Sequence, residues 1–253
     1  MLTVSYPIPI RAIRMRYKLC GLIIVLAFMA ASGGAMAAQG PVPAIVDKGR
    51  TPEVAACATC HLPNGVGRPD SAALAGETVG YFQQQIANFK NGDRNGSGDN
   101  AQKAMIAIAK ALTPAEVDAA AGYFSKLPAV SFGKVVESAT AGGRIVEMPD
   151  NQAGGTYTAY VPPGSLAKGK ELATSETGDK TIACKECHGD DLKGDGDLVP
   201  WIAGRSPNYI LRQLTNIKNK TRAGSSVPMQ MVVEKLTPDD MIAIAAYVAS
   251  LKP

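Results

Sequence analysis

Histidine is nearly absent from this chain: two occur in 253 residues, beside five cysteines and a single tryptophan. Aromatic residues make up 6% of the sequence, too few to fill two small cores without added apolar bulk. Long apolar runs are missing as well. Residues 21–30 form a sustained apolar stretch, but it falls well short of the roughly 18 to 20 residues of a membrane-spanning helix. An excess of one charge is also lacking. The formal net charge of +4 comes from 26 basic and 22 acidic residues. Four of the basic ones, Arg11, Arg14, Arg16 and Lys18, lie in the first 37 residues, which hold no acid. Beyond residue 37 the chain is balanced at 22 of each. Charge therefore offers no ground for nucleic acid or a membrane surface as a partner.

Those first residues, 1–37, read as an export signal. They have a basic start, the apolar stretch, and a small-residue cleavage site at Ala35-Met36-Ala37. Met15 is a second candidate start. Cys20 lies inside the segment and would be lost with it.

What the chain does contain is one short motif twice: Cys57-Ala58-Thr59-Cys60-His61 and Cys184-Lys185-Glu186-Cys187-His188. C-x-x-C-H is the attachment signature of a c-type haem. On a helix, positions i, i+3 and i+4 share a face, so both thiols and the imidazole can meet one porphyrin. Cys57, Cys60, Cys184 and Cys187 are expected to bond two haems covalently, and His61 and His188 to ligate the two irons. The motifs consume both histidines and four of the five cysteines. A structural zinc site made from the two C-x-x-C pairs is the competing reading. Redox dithiols would explain neither the histidine after each pair nor the doubling. Covalent haem attachment takes place outside the bacterial cytoplasm, so the motifs and the export signal agree on a periplasmic location.

An internal repeat divides the remainder. Leu74-Ala75-Gly76 matches Ile202-Ala203-Gly204. Tyr81, Gln85, Asn88, Lys90 and Asn91 then match Tyr209, Gln213, Asn216, Lys218 and Asn219 without a gap. Leu-Thr-Pro recurs at 112–114 and 236–238, followed by Tyr123 and Tyr247. The expected organisation is a first domain over 38–128, a linker over 129–163 and a second domain over 164–253. Each copy reads as three main helices. The first carries the haem motif and starts, in copy one, at Thr51-Pro52. The second has the stripe Phe82, Ile86, Phe89 or Ile210, Leu214, Ile217. It starts at Ser206-Pro207 in copy two and stops at Gly92 in copy one. The third opens on Thr113-Pro114 with Glu116, or Thr237-Pro238 with Asp240. It buries Val117, Ala121 and Phe124, or Met241, Ala245 and Val248. The linker, rich in Gly and Pro with short β-rich patches, is expected to run extended, with a hairpin at most. It should pack over the domains through Ile145, Val146 and Tyr160.

Each iron still needs a second axial ligand, and beyond residue 37 no histidine or cysteine is left outside the motifs. Bis-histidine and thiolate ligation are thereby excluded. Methionine, a soft thioether that raises the potential, is the remaining donor. Met105 and Met229 stand at the same distance before Leu112 and Leu236, which selects them over Met148, Met231 and Met241. Pro228 is expected to hold Met229 in an extended loop. Met231, two residues on, is the rival. Tyr81, Tyr209, Gln85 and Gln213 recur in both copies and are either haem-propionate donors or exposed helix polarity. Arg205 reads as a solvated surface arginine, with a propionate partner as the alternative.

With these residues in view, the chain resembles the two-haem class I c-type cytochromes of the cytochrome c4 kind. The resemblance rests on both C-x-x-C-H motifs, the two Ala-Gly segments, Met105 and Met229, and the two Leu-Thr-Pro helices; it does not cover the linker. It implies an all-α fold of two tandem class I cytochrome c domains, His/Met low-spin haems, and electron transfer in the periplasm. The family's proline, which orients the proximal histidine, matches Pro200 in copy two; copy one has Ala72 there. The expected function is a carrier of single electrons between a respiratory dehydrogenase or quinol-oxidising complex and a terminal oxidase or reductase. Its expected partners are redox proteins, with transient docking at membrane complexes. The alternative is a dedicated cytochrome subunit of an alcohol or sulfide dehydrogenase type. A dihaem enzyme is disfavoured: peroxidases of this kind use an extra histidine and thiosulfate dehydrogenases a cysteine ligand, and neither is available.

Overall fold

A computed structural model describes residues 40–96, 100–150, 156–175, 177 and 180–253. The export segment over 1–37, with Cys20, lies outside these residues, as does Gly154-Gly155 of the linker. No helix among the described residues is long and apolar enough to cross a membrane.

The molecule is mostly helical and repeats one helical plan. The first half contains α1 (Ala44–Asp47), α2 (Cys57–His61), α3 (Val79–Asn91), α4 (Asn100–Ala111) and α5 (Pro114–Phe124). The second contains α6 (Ser165–Thr174), α7 (Lys185–His188), α8 (Pro207–Lys218), α9 (Met229–Val233) and α10 (Pro238–Ser250). Local chemistry explains the ends. The Thr78 and Ser206 hydroxyls accept from the backbone N–H groups of Tyr81 and Tyr209, three residues into α3 and α8. Gly92, at φ 85°, ends α3 in the left-handed conformation that glycine adopts without a Cβ clash. Reciprocal capping boxes open α5 (Thr113 with Glu116) and α10 (Thr237 with Asp240), with proline at the first turn of each. Each cap is worth about 1 kcal/mol.

The sequence stripes land inside. Phe82, Ile86, Phe89, Ala121 and Phe124 lie in one core with Leu112 and Leu127, and Val117 packs against it half-buried. Ile210, Leu214, Ile217, Met241, Ala245 and Val248 lie in a second core. Removing a leucine- or isoleucine-sized side chain from water is worth roughly 1.5–3 kcal/mol.

The expected three helices per copy become five among the described residues. α1 has only four residues, and α6 is held by its packing along α10. Gly169 of α6 lies so close to α10 that a Cβ there would sit 1.9 Å from the Ala243 carbonyl oxygen. Only a glycine lets the two backbones approach that far. In copy one, Thr51-Pro52 does not open the motif helix. It lies in a turn between α1 and α2, and the helix starts at Cys57 after Ala56, which offers no side-chain cap.

The linker is more than an extended strap. β1 (Gly133–Glu137), β2 (Val146–Pro149) and β3 (Tyr157–Val161) form a three-stranded sheet in the order β1-β3-β2, with β3 parallel to β1 and antiparallel to β2. Central β3 buries Ala159 and Val161, and these join Ile145 in the second core. No single strand here could be stable alone; pairing plus one covered face makes the sheet. The sheet also caps helices: Glu147 Oε1 accepts from Asn208 N–H at the start of α8 (2.9 Å) and Glu137 Oε1 from Leu166 N–H of α6 (2.8 Å). At the matching start of α3, Asp197 Oδ1 accepts from Gly80 N–H (3.1 Å). Each carboxylate meets the positive end of a helix.

Candidate functional site

The two C-x-x-C-H motifs are helical. Cys57–His61 forms α2, and Cys184 is the N-cap of α7, which ends at His188. In each, the first cysteine is sheltered and the second exposed: Cys57 is half-buried and Cys184 buried, while Cys60 and Cys187 face solvent. Burial pushes the Cys57 and Cys184 thiols up to about 11.

The histidines are oriented by backbone. His61 Nδ1 lies 2.8 Å from the Ala72 carbonyl oxygen, and His188 Nδ1 lies 2.8 Å from that of Pro200. A carbonyl only accepts, so Nδ1 carries the proton and Nε2 keeps its lone pair for a metal. Burial lowers the pKa of both imidazoles, against the carbonyl contact, which raises it. They are therefore neutral, as a ligand must be. Ala72 and Pro200 hold matching positions in the repeat, so the contact does not depend on a proline ring.

Cys57, Cys60, His61 and Met105 line one open, mostly apolar cleft, together with Phe82, Ile86, Phe89 and Leu112. Met105 lies within α4, packed half-buried against the first core. In the second half, Met229 packs half-buried against the core that contains Cys184, whereas Met231 is 64% exposed. Met241 is core and Met148 is exposed. Pro228 does not hold an extended loop: it is helical (φ −57°, ψ −31°) and Met229 begins α9. The helical turn takes precedence over the extended bias of the residues around a proline because Val232 and Val233 bury themselves through it.

Tyr81, Gln85, Tyr209 and Gln213 are buried rather than displayed on exposed helix faces. They meet at the contact between the two halves, around Arg94 and Arg222. Arg94 donates to Gln85 Oε1 (2.9 Å), Tyr209 Oη (3.2 Å) and Gln213 Oε1 (3.1 Å). Arg222 donates to Gln213 Oε1 (3.0 Å), Tyr81 Oη (3.0 Å) and Gln85 Oε1 (3.2 Å). The arginines were not among the expected site residues. Carrying the repeat three residues past Asn91 and Asn219 reaches both of them. Burial works to raise the Tyr209 phenol, but the charges of Arg94, Arg222 and Arg205 outweigh it and hold its pKa below the ordinary phenol range.

Arg205 is not a solvated surface residue. It is 4% exposed, pairs with buried Glu77, and stacks its guanidinium 4.1 Å from the centre of the Trp201 ring. Glu77 and Arg205 occupy matching positions, each following its Ala-Gly segment, so the repeat places opposite charges where the halves meet.

These surroundings fit a pair of haems. Each motif offers two thiols and a neutral imidazole, the first cleft is apolar, and buried donors wait for acceptors. Arg94 Nε, Arg222 Nε and Trp201 Nε1 have no hydrogen-bond partner among the described residues. A surplus of buried donors suits a group that brings its own carboxylates.

Comparison with known proteins agrees. Residues 46–128 and 166–252 match the family profile described as Cytochrome c. The thiosulfate dehydrogenase electron acceptor of Thiomonas intermedia (strain K12) is 30% identical over 79% of this chain and 80% of its own length. Cytochrome c4 of Azotobacter vinelandii is 26% identical over 87% of this chain and 90% of its own. Among solved structures, Acidithiobacillus ferrooxidans cytochrome c4 superimposes with a TM-score of 0.58 at 28% identity, covering 77% of this chain and 98% of that one. The thiosulfate dehydrogenase TsdBA from Marichromatium purpuratum superimposes with a TM-score of 0.64 at 27% identity over 83% of this chain. This chain spans only 39% of that protein's length.

Proposed function

Because the chain belongs to the cytochrome c family and binds two covalently attached c-type haems, we propose that it is an exported, periplasmic carrier of single electrons. Its donor is a dehydrogenase and its acceptor an oxidase or reductase. The haem irons supply the one-electron chemistry; the protein supplies anchoring, ligation and burial. Cys57 with Cys60, and Cys184 with Cys187, anchor the two groups. His61 and His188 are the proximal ligands, oriented by the carbonyls of Ala72 and Pro200. Met105 and Met229 are the distal ligands. The observation that carries this reading is the pair of backbone-fixed imidazoles, each at the end of a C-x-x-C-H helix and each with Nε2 left for a metal.

Two relatives named as thiosulfate dehydrogenase electron acceptors support an enzyme of that type as the donor. The likeness to TsdBA supports a second reading, a cytochrome permanently bound to its dehydrogenase. Purification alone, or with a catalytic subunit, separates the two.

A filled coordination sphere lets an iron change oxidation state with little movement and leaves no place for substrate. The test is carbon monoxide added to the reduced protein at neutral pH, with both haems attached. A nearly unchanged spectrum is expected. Rapid carbon monoxide binding to either haem at full occupancy would replace the carrier reading with a catalytic or sensing one.

A further inference from the structure

We propose that Arg205 completes an electron route between the two haems: its guanidinium joins His61 to His188 through the short backbone stretches Ala72-Ala73 and Pro200-Trp201. The inference rests on the reading that each C-x-x-C-H motif carries a haem, with His61 and His188 as the proximal ligands.

Each histidine is held by a backbone carbonyl, His61 by that of Ala72 and His188 by that of Pro200. The next carbonyl along the chain belongs to Ala73 in the first half and to Trp201 in the second, and these two hold matching positions in the repeat. Arg205 bonds both. Its Nη1 donates to the Ala73 oxygen (3.3 Å) and its Nε to the Trp201 oxygen (2.8 Å). One guanidinium therefore spans equivalent points of the two haem loops. Its planar fork sets donors at fixed angles, so one side chain serves two carbonyls at once. The group is also pinned: it is buried, lies over the Trp201 ring and pairs with buried Glu77. Copy one has Glu77 itself at the position matching Arg205. An ionised carboxylate donates nothing, so the repeat supplies this bridge once.

The result is a path without a gap. It starts at His61, whose Nδ1 donates to the Ala72 carbonyl, and follows the backbone to the Ala73 carbonyl. It enters the guanidinium at Nη1 and leaves at Nε for the Trp201 carbonyl. The backbone then leads back to the Pro200 carbonyl and His188. Every link is a covalent bond or a hydrogen bond of 3.3 Å or less. Electronic coupling falls off less steeply through bonds, hydrogen bonds included, than across empty space. A delocalised guanidinium at the centre adds to the coupling, and its fixed, buried surroundings have little to rearrange when charge moves. One electron leaves a ferrous iron and arrives at a ferric one. No proton is transferred, and no bond is made or broken along the way.

The test uses the full haem-loaded chain. Arg205→Lys keeps the charge beside Glu77 but loses the planar fork. Glu77→Gln removes the ion pair and leaves the donors of Arg205 in place. Arg205→Met combined with Glu77→Gln removes both buried charges together, which guards against unfolding by one unpaired buried charge. Haem staining with intact mass establishes that two haems are attached, and redox titration gives the gap between the two midpoint potentials. Transfer within one chain is read in half-reduced samples, as the concentration-independent exchange of haem-methyl NMR resonances. Arg205→Lys and the double variant are expected to slow this exchange severalfold, with the gap between the potentials near the parent's. Glu77→Gln is expected to keep the parent rate. Folded Arg205 variants with two haems and the parent rate would overturn the proposal. So would a slowing that only follows a changed gap, or a Glu77→Gln chain as slow as Arg205→Lys. A parent chain without two covalent haems would fail the underlying reading instead, and the mass measurement reports that separately.

Discussion

The Ala72 carbonyl holds His61 just as the Pro200 carbonyl holds His188: 2.8 Å from Nδ1 in both cases. A backbone oxygen, common to every residue type, sets the imidazole. The proline at one of the two positions stiffens the loop without making the bond. Pro200→Ala should therefore keep both haems and leave the second haem's potential unchanged. It should lose no more than about 1 kcal/mol of stability, the usual scale for a proline's restriction of the unfolded chain. Redox titration and denaturant unfolding read the two quantities. A lost or displaced second haem would show that the ring itself matters.

Met229 and Met231 are two residues apart, yet one packs against the core and the other is largely solvated. Met229→Ala should abolish the sulfur-to-ferric-iron charge-transfer band of the second haem and lower its potential, since water is a weaker ligand than a thioether. Met231→Ala should leave the band in place. The opposite pattern would mean that the repeat register slips by two residues in the second half.

Asp240 joins three segments. It bonds Lys168 and Lys180, both at 2.8 Å, and closes the capping box of α10. Burial works to raise its pKa, but the two ammonium groups and the Thr237 bonds outweigh this and hold it far below the ordinary aspartate value. A carboxyl depressed in the folded state contributes stability that is fully present above its unfolded pKa, about 3.9. That contribution is lost as pH falls below this value toward the folded one. Asp240→Asn keeps an oxygen for the cap and removes the charge. It should cost about 1–3 kcal/mol at pH 7, with the gap to the parent closing as the pH drops below about 4. Urea unfolding at pH 7, 5 and 3 measures the gap; one independent of pH would mean that the charge is not what stabilises.

Gly169 is required by the crossing of α6 on α10. Gly169→Ala gains helix propensity but drives its Cβ onto the Ala243 carbonyl. The expected net effect is a loss of about 1–3 kcal/mol from overpacking, read as a lower denaturation midpoint with both haems attached. A stabilised variant would mean that the helices can separate without cost.

Much of this protein was legible along the chain because its determinants are local. The spacing in C-x-x-C-H places thiols and imidazole on one helical face. Thr113 and Glu116, or Thr237 and Asp240, are three residues apart and cap their own helices. Phe82, Ile86 and Phe89 fall on one face whatever covers it. The sheet was half legible: its strands show as β-rich patches, but the parallel pairing of β1 with β3 depends on a chain reversal that no local pattern encodes.

The rest was set where surfaces distant in sequence meet. Arg205 read as a solvated charge, since nothing within a few residues opposes it; its partner Glu77 comes from the other copy. Arg94 and Arg222 are ordinary basic residues in sequence, and their burial arises from the contact between the halves. Met229 and Met231 differ in which one the fold turns toward the core. The family, the two haems and the repeated helical plan follow from the order of residues alone, because bonding and periodicity within a short stretch of chain suffice for these. The fold decided the charge pairing and the burial, because the free energy of a buried charge depends on neighbours distant in sequence.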